Sequence, residues 1–234
     1  MPEGVRIQYQ EELENLEERA LEGLDLVAGQ LEGAVEVVEH RDSELAELII
    51  ANDDVVDGRY LEVHQEILTL LATQAPVATD LRLISALLHV MHSIERMGDQ
   101  CVNISKVIPL TGHEAPVRGE MVDRILLMGK QGHSMLTQAK KAFEGRDVEL
   151  ARDLVRQDDL IDNLNRECFQ IAVQVGEDQD TREWAMTMML VARALERIGD
   201  NAVDIGEQVA FVVTGLFREF EDASHPGGAP LPSP

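Results

Sequence analysis

Among the acidic residues that stand four positions apart are Asp53 and Asp57, Glu95 and Asp99, Asp158 and Asp162, and Glu196 and Asp200. On a helix, residues at that spacing stack on one face, so each pair would present two carboxylates side by side. Like charges so placed repel each other, and a cation between them relieves the cost. Carboxylate oxygens are hard ligands, suited to Mg, Mn, Ca or oxidised Fe rather than to thiol-loving metals. The competing reading is a solvated acidic edge, because Leu88, Met91, Glu95, Asp99 and Val102 follow one another at helical spacing along the border of an apolar stripe.

The neighbours of these pairs narrow the chemistry. Arg96 and Arg197 follow the two glutamates and could pair with carboxylates elsewhere. Gly98 and Gly199 each cost a helix about 1 kcal/mol relative to alanine. Close helix approach explains them more simply than room for a ligand. Asn103 and Asp204 extend the rows by one turn and differ, so two sites built on them would not be identical. Ferritin-like di-iron centres use Glu-x-x-His, which is absent here; His92-Ser93-Ile94-Glu95 has the reverse order, and Arg193 stands where His92 does. HExxH and GxxxxGK are also absent, as is any nucleophile–base arrangement, which argues against a zinc hydrolase, a nucleotide hydrolase and catalysis in general.

The elements that must position these residues are helices. Leu13, Leu16, Ala20, Leu24, Val27, Leu31, Ala34 and Val38 recur at three- and four-residue steps and predict a helix over 8–39. Asp42 is placed to cap a second helix over 43–72, and Gln74-Ala75-Pro76 ends it. A third is predicted over 77–109. Residues 110–116, with Gly112 between Pro109 and Pro116, read as a linker. Three further helices are predicted over 117–143, 147–175 and 180–217, followed by a Pro-, Gly- and Ser-rich tail, 224–234, expected to be disordered.

Three helices followed by three suggest a duplication, and the sequence bears that out. Glu39–Ala46 recurs as Glu144–Ala151 with six of eight residues identical at an offset of 105. At the same offset Asp53–Asp57 becomes Asp158–Asp162, and at an offset of 101 Ile94–Asp99 becomes Leu195–Asp200. The expected architecture is therefore all-α: two tandem three-helix bundles, 8–109 and 117–217, with six long helices and pseudo-two-fold internal symmetry. At roughly 1.5 Å per residue, Asp57 and Glu95 lie at similar heights from the turn between their helices, as do their counterparts in the second repeat. Each repeat should thus form its own metal site: Asp53, Asp57, Glu95 and Asp99 in the first, Asp158, Asp162, Glu196 and Asp200 in the second.

Composition agrees with a helical globule. Hydrophobic residues make up 44% of the 234 while aromatics make up 3%, a balance commoner in bundles than in sheets. A net charge of −24 opposes contact with nucleic acid or anionic lipid and would suit cations or a basic partner, while a solvated acidic face is the plainer account of the bulk charge. Cys101 and Cys168 fall inside apolar helices in no CxxC spacing, which predicts buried thiols in a reducing compartment. The first residues lack a signal-peptide layout, and the apolar run Leu83–Ile94 is far shorter than the roughly 20 residues a membrane span needs.

Two three-helix repeats, each with an acidic pair on the second helix and a Glu-Arg-x-Gly-Asp block on the third, resemble the PhoU family over roughly 8–217. The blocks Glu95–Asp99 and Glu196–Asp200, followed by Asn103-Ile104 and Asp204-Ile205, are the specific part. The resemblance implies a cytoplasmic, commonly dimeric negative regulator of phosphate uptake and phosphate-starvation signalling. Such a protein would be an adaptor between the ATPase of a phosphate ABC transporter and a membrane-bound sensor histidine kinase. It further implies multinuclear metal clusters on the four pairs named above. The alternative is a carboxylate-bridged metal-binding or metal-storage protein, which the missing Glu-x-x-His disfavours.

Overall fold

The structure, a computed structural model, describes residues 3–111 and 119–220. Seven α-helical segments follow one another: α1 (Glu3–His40), α2 (Ser43–Ala51), α3 (Asp53–Thr73), α4 (Ala78–Val107), α5 (Glu120–Gly145), α6 (Val148–Gln174) and α7 (Gln179–Thr214). A 3-10 turn, Ile108–Thr111, closes α4 where the sequence suggested the linker would begin. The rest of that linker and the tail 224–234 lie outside the described residues.

The duplicated block Glu39–Ala46 turns out to be a helix corner. Arg41 and Arg146 both adopt left-handed backbone, with φ of 56° and 51°. Each is followed by an aspartate, Asp42 or Asp147, whose carboxylate accepts two backbone N–H bonds at 2.9–3.0 Å from the first turn of the next helix. The side chain of each aspartate thus satisfies N–H groups that have no carbonyl partner inside the helix.

The helix expected over 43–72 is broken at Asn52, which separates α2 from α3. With φ −80° and ψ −3°, Asn52 sits at the edge of helical space, and its carbonyl accepts from Val55 N three residues on, at 3.1 Å. Asparagine is a poor helix-interior residue, and Asp53 and Asp54 suit the positive end of a new helix. The counterpart helix α6 runs unbroken through Gln157. Counting α2 and α3 as one interrupted helix gives the expected six.

Within each half the three helices pack together, and the halves then join through like helices: α4 lies on α7 nearly as extensively as α6 does, and α1 lies on α5. Buried apolar residues of both halves, from Leu24 and Ile94 to Met128 and Ile198, belong to one continuous core. The two expected three-helix bundles are therefore present and share a core, because α1, α4, α5 and α7 are covered on both flanks. Arg146, bonded to both oxygens of Glu17 at 2.8 and 2.6 Å, and Lys140, bonded to Asp25 at 2.6 Å, also cross from the second repeat to the first. Cys101 and Cys168 are buried and unpaired. Among the described residues no helix is long and apolar enough to cross a membrane.

Candidate functional site: two opposed carboxylate rows

The acidic pairs face each other between the second and third helix of each repeat. In the first, Asp53 and Asp57 on α3 oppose Glu95 and Asp99 on α4. Burial, then the charges of Asp57 and Asp99, push the Asp53 carboxyl above its ordinary range. Burial, then Asp99, does the same to Glu95, with Asp57 adding to the effect and His92 opposing it. Such cross-helix repulsion requires the rows to lie at the same level, as the distances from the turn predicted.

The second repeat repeats the arrangement more deeply. Asp158 on α6 and Glu196 on α7 are each only 8% exposed. Burial, followed by Asp200, Asp162 and Glu196, raises Asp158 to about 8. Burial, then Asp200, also raises Glu196, while Arg193 pulls it down. The contrast with Asp53 follows from depth: Asp53 is half-buried in the first turn of α3, whereas Asp158 is buried within a continuous helix.

Gly98 and Gly199 bring these helices together, and the atoms they admit are the carboxylates as well as apolar neighbours. A Cβ on Gly199 would overlap Asp158 Oδ1 and stand 3.2 Å from Ile161 Cδ1. One on Gly98 would lie 3.3 Å from Val56 Cγ1 and 3.4 Å from Asp53 Oδ1. The close approach expected from sequence is thus the feature that seats an aspartate against the third helix.

Over the second row lies a groove of about 480 Å³ lined by Asp158, Asp162, Glu196, Asp200, Asp204, Glu207, Glu219 and Arg193. Sequence reasoning did not include Glu207 or the segment after α7. Gly215, with φ 73°, reverses the chain at the end of α7. Phe217 then packs edge-on against Phe211 at 5.7 Å, and Phe220 N donates to Glu207 Oε1 at 2.7 Å, which brings Glu219 and Phe220 over the groove. Asp204, which extends the row, faces Arg96, His89 and His92 of α4, so the two halves are electrostatically joined at this point.

Arg193 donates a short bond to Glu196 Oε1. Its counterpart His92 lies 3.9 Å from Glu95. The residue three before each glutamate, used above only to exclude a di-iron motif, is therefore an exposed basic side chain beside the row.

Do these residues fit a metal? Among the described residues no three His, Cys, Asp or Glu side chains are grouped closely enough to hold an ion as they stand. Two observations nevertheless favour a cation. Asp158 Oδ1 and Glu196 Oε2 are buried without a hydrogen-bond partner, a costly state for oxygens that border an acidic groove. The donor set is also all oxygen, as hard cations require.

Paired three-helix bundles, each with facing carboxylate rows on its second and third helices, are the class of protein that fold and site define. The chain belongs to the PhoU family: residues 21–108 and 125–209 each match the PhoU domain. It is 30% identical over 216 residues to phosphate-specific transport system accessory protein PhoU homolog 1 of Thermotoga maritima, covering 92% of this chain and 93% of that one. The PhoU homolog of Clostridium acetobutylicum is 29% identical over 216 residues, with 92% and 98% covered. The crystal structure of PhoU from Pseudomonas aeruginosa superposes with a TM-score of 0.83 at 28% identity, covering 89% of this chain and all of that one.

Proposed function

We propose that this chain regulates phosphate uptake and restrains phosphate-starvation signalling as a non-catalytic adaptor, binding the ATPase subunit of a phosphate ABC transporter and a sensor histidine kinase. It acts in the cytoplasm as a homodimer. One observation carries the reading: both PhoU domains, each with its paired rows intact, lie in a chain that aligns over nine-tenths of its length with relatives named as phosphate transport accessory proteins. Hard metal ions, Fe, Mn, Mg or Ca, are held by Asp53, Asp57, Glu95 and Asp99 in one half and by Asp158, Asp162, Glu196 and Asp200 in the other. A bound cation supplies positive charge between rows that otherwise repel, and it fixes the second helix of each repeat to the third. Because the rows are not grouped around a point as they stand, binding proceeds with rotation of the side chains.

Co-purification tests the adaptor role. Tagged chain recovered from phosphate-replete cells should bring down the transporter ATPase and the kinase, and its deletion should leave starvation genes switched on. Recovery of neither partner, together with normal repression in the deletion strain, would overturn the reading.

A further inference from the structure

The first site has a wall contributed by α1. Gln30 stands on the buried stripe of that helix between Val27 and Leu31 and is only 7% exposed. Its amide nitrogen points to the break in the second helix, donating to Asn52 O at 3.4 Å. That donation directs the other end of the amide the opposite way. Gln30 Oε1 has no hydrogen-bond partner. It lies 3.3 Å from the place a Gly98 Cβ would occupy, and Asp53 Oδ1 lies 3.4 Å from the same place. Two acceptor oxygens, one neutral and one anionic, thus border a single gap. An unpaired buried acceptor is costly, and a cation coordinated by both oxygens removes that cost.

We propose that Gln30 is a ligand of the first site, adding a neutral amide oxygen to the carboxylates of Asp53, Asp57, Glu95 and Asp99 for a hard divalent cation; this rests on the metal reading above. Amide oxygens are ordinary ligands for such ions beside carboxylates. The second repeat lacks this donor. At the offset of 105 that relates the first helices, Gln30 corresponds to Met135, which is buried in the core. There α6 is unbroken, and Gln157, the counterpart of Asn52, is held by Gln131 through a 2.9 Å bond. The break at Asn52 and the ligand on α1 therefore belong together: the Asn52 carbonyl, which also accepts from Val55 N, receives the nitrogen end of Gln30 and leaves its oxygen turned to the site. The two sites differ accordingly, the first having a neutral donor that the second does without.

The test is Mn²⁺ titration of the full chain, followed by calorimetry and electron paramagnetic resonance, with Asp200→Asn present throughout to disable the second site. Gln30→Met copies the residue the second repeat tolerates at this position, and Gln30→Glu restores an oxygen and adds charge. Gln30→Met should weaken Mn²⁺ binding by about tenfold or more, while Gln30→Glu binds at least as tightly as the parent. The Mn²⁺-induced rise in Tm should shrink in the methionine variant alone. Equal affinity in the parent and Gln30→Met, with Asp99→Asn abolishing binding in both, overturns the assignment of Gln30 and leaves the metal site standing. Equal weakening by Met and Glu with a lowered metal-free Tm makes Gln30 structural, and also overturns it. No Mn²⁺ bound by the parent overturns the metal reading and this proposal together.

Discussion

The carboxylate of Asp158 fills the space in which Gly199 would carry a side chain. A glycine on the third helix thus seats an aspartate of the second, and the matched pair Gly98 and Asp53 repeats the relationship less tightly. Because the seat is built from a missing methyl group, it makes a direct prediction.

Gly199→Ala should destabilise the protein and Gly98→Ala should not. Alanine returns about 1 kcal/mol of helix propensity at either position, whereas overpacking costs about 1–3 kcal/mol. At Gly199 the new methyl meets Asp158 head on; at Gly98 its nearest neighbours stand 3.3 Å away and need yield little. Urea midpoints of metal-free protein should place Gly199→Ala as much as about 2 kcal/mol below wild type and Gly98→Ala within about 1 kcal/mol of it. Unchanged stability in Gly199→Ala would mean that Asp158 is not held against the third helix.

Metal-free protein should lose stability as pH rises from about 4 to 8. Asp158, raised to about 8 in the folded chain, titrates near 3.9 when unfolded. Between those values the folded state binds the extra proton, so stability is fully present below the unfolded value and is lost as pH climbs through the folded one. Asp53, Glu95 and Glu196 are shifted the same way and add to the slope. Asp158→Asn should raise the urea midpoint at pH 8 while changing it little at pH 4. A variant as pH-sensitive as the parent would show that Asp158 is already ionised at neutral pH.

Removing one carboxylate should remove metal from its own half first. Bound metal measured on chelator-free preparations should fall by about half in Asp99→Asn and in Asp200→Asn, and to near zero in the double variant, if distant sites behave additively. The shared core and the facing of Asp204 with Arg96 make some cross-talk expected. Complete loss in either single variant with the fold retained would exclude two sites.

Arg193 should compete with metal. Its guanidinium bonds Glu196, which a cation would also use. Arg193→Gln should therefore tighten metal binding to the second site while lowering the metal-free Tm, because Glu196 then keeps its buried charge without a partner. A variant that binds metal more weakly would show that Arg193 orients the row and does not oppose the ion.

Much of this protein follows from its sequence alone. Helical periodicity, the repeated corner at Asp42 and Asp147 and the recurring acidic pairs establish six helices in two repeats and the opposition of Asp57 to Glu95, because each is a matter of spacing along a regular helix. Which flanks of α4 and α7 cover each other is a different matter. Apolar stripes say that a face must be buried and are silent on whether the same repeat or the other one buries it. The break at Asn52 was hidden for a related reason: one asparagine between Ala51 and Asp53 breaks no periodicity, and the donation from Gln30 of α1 to its carbonyl exists only in the tertiary structure. Gln30 itself is a polar residue on an apolar stripe, which periodicity alone leaves without a role. Its meaning was decided by tertiary structure, because a buried oxygen acquires a role only from the atoms that surround it.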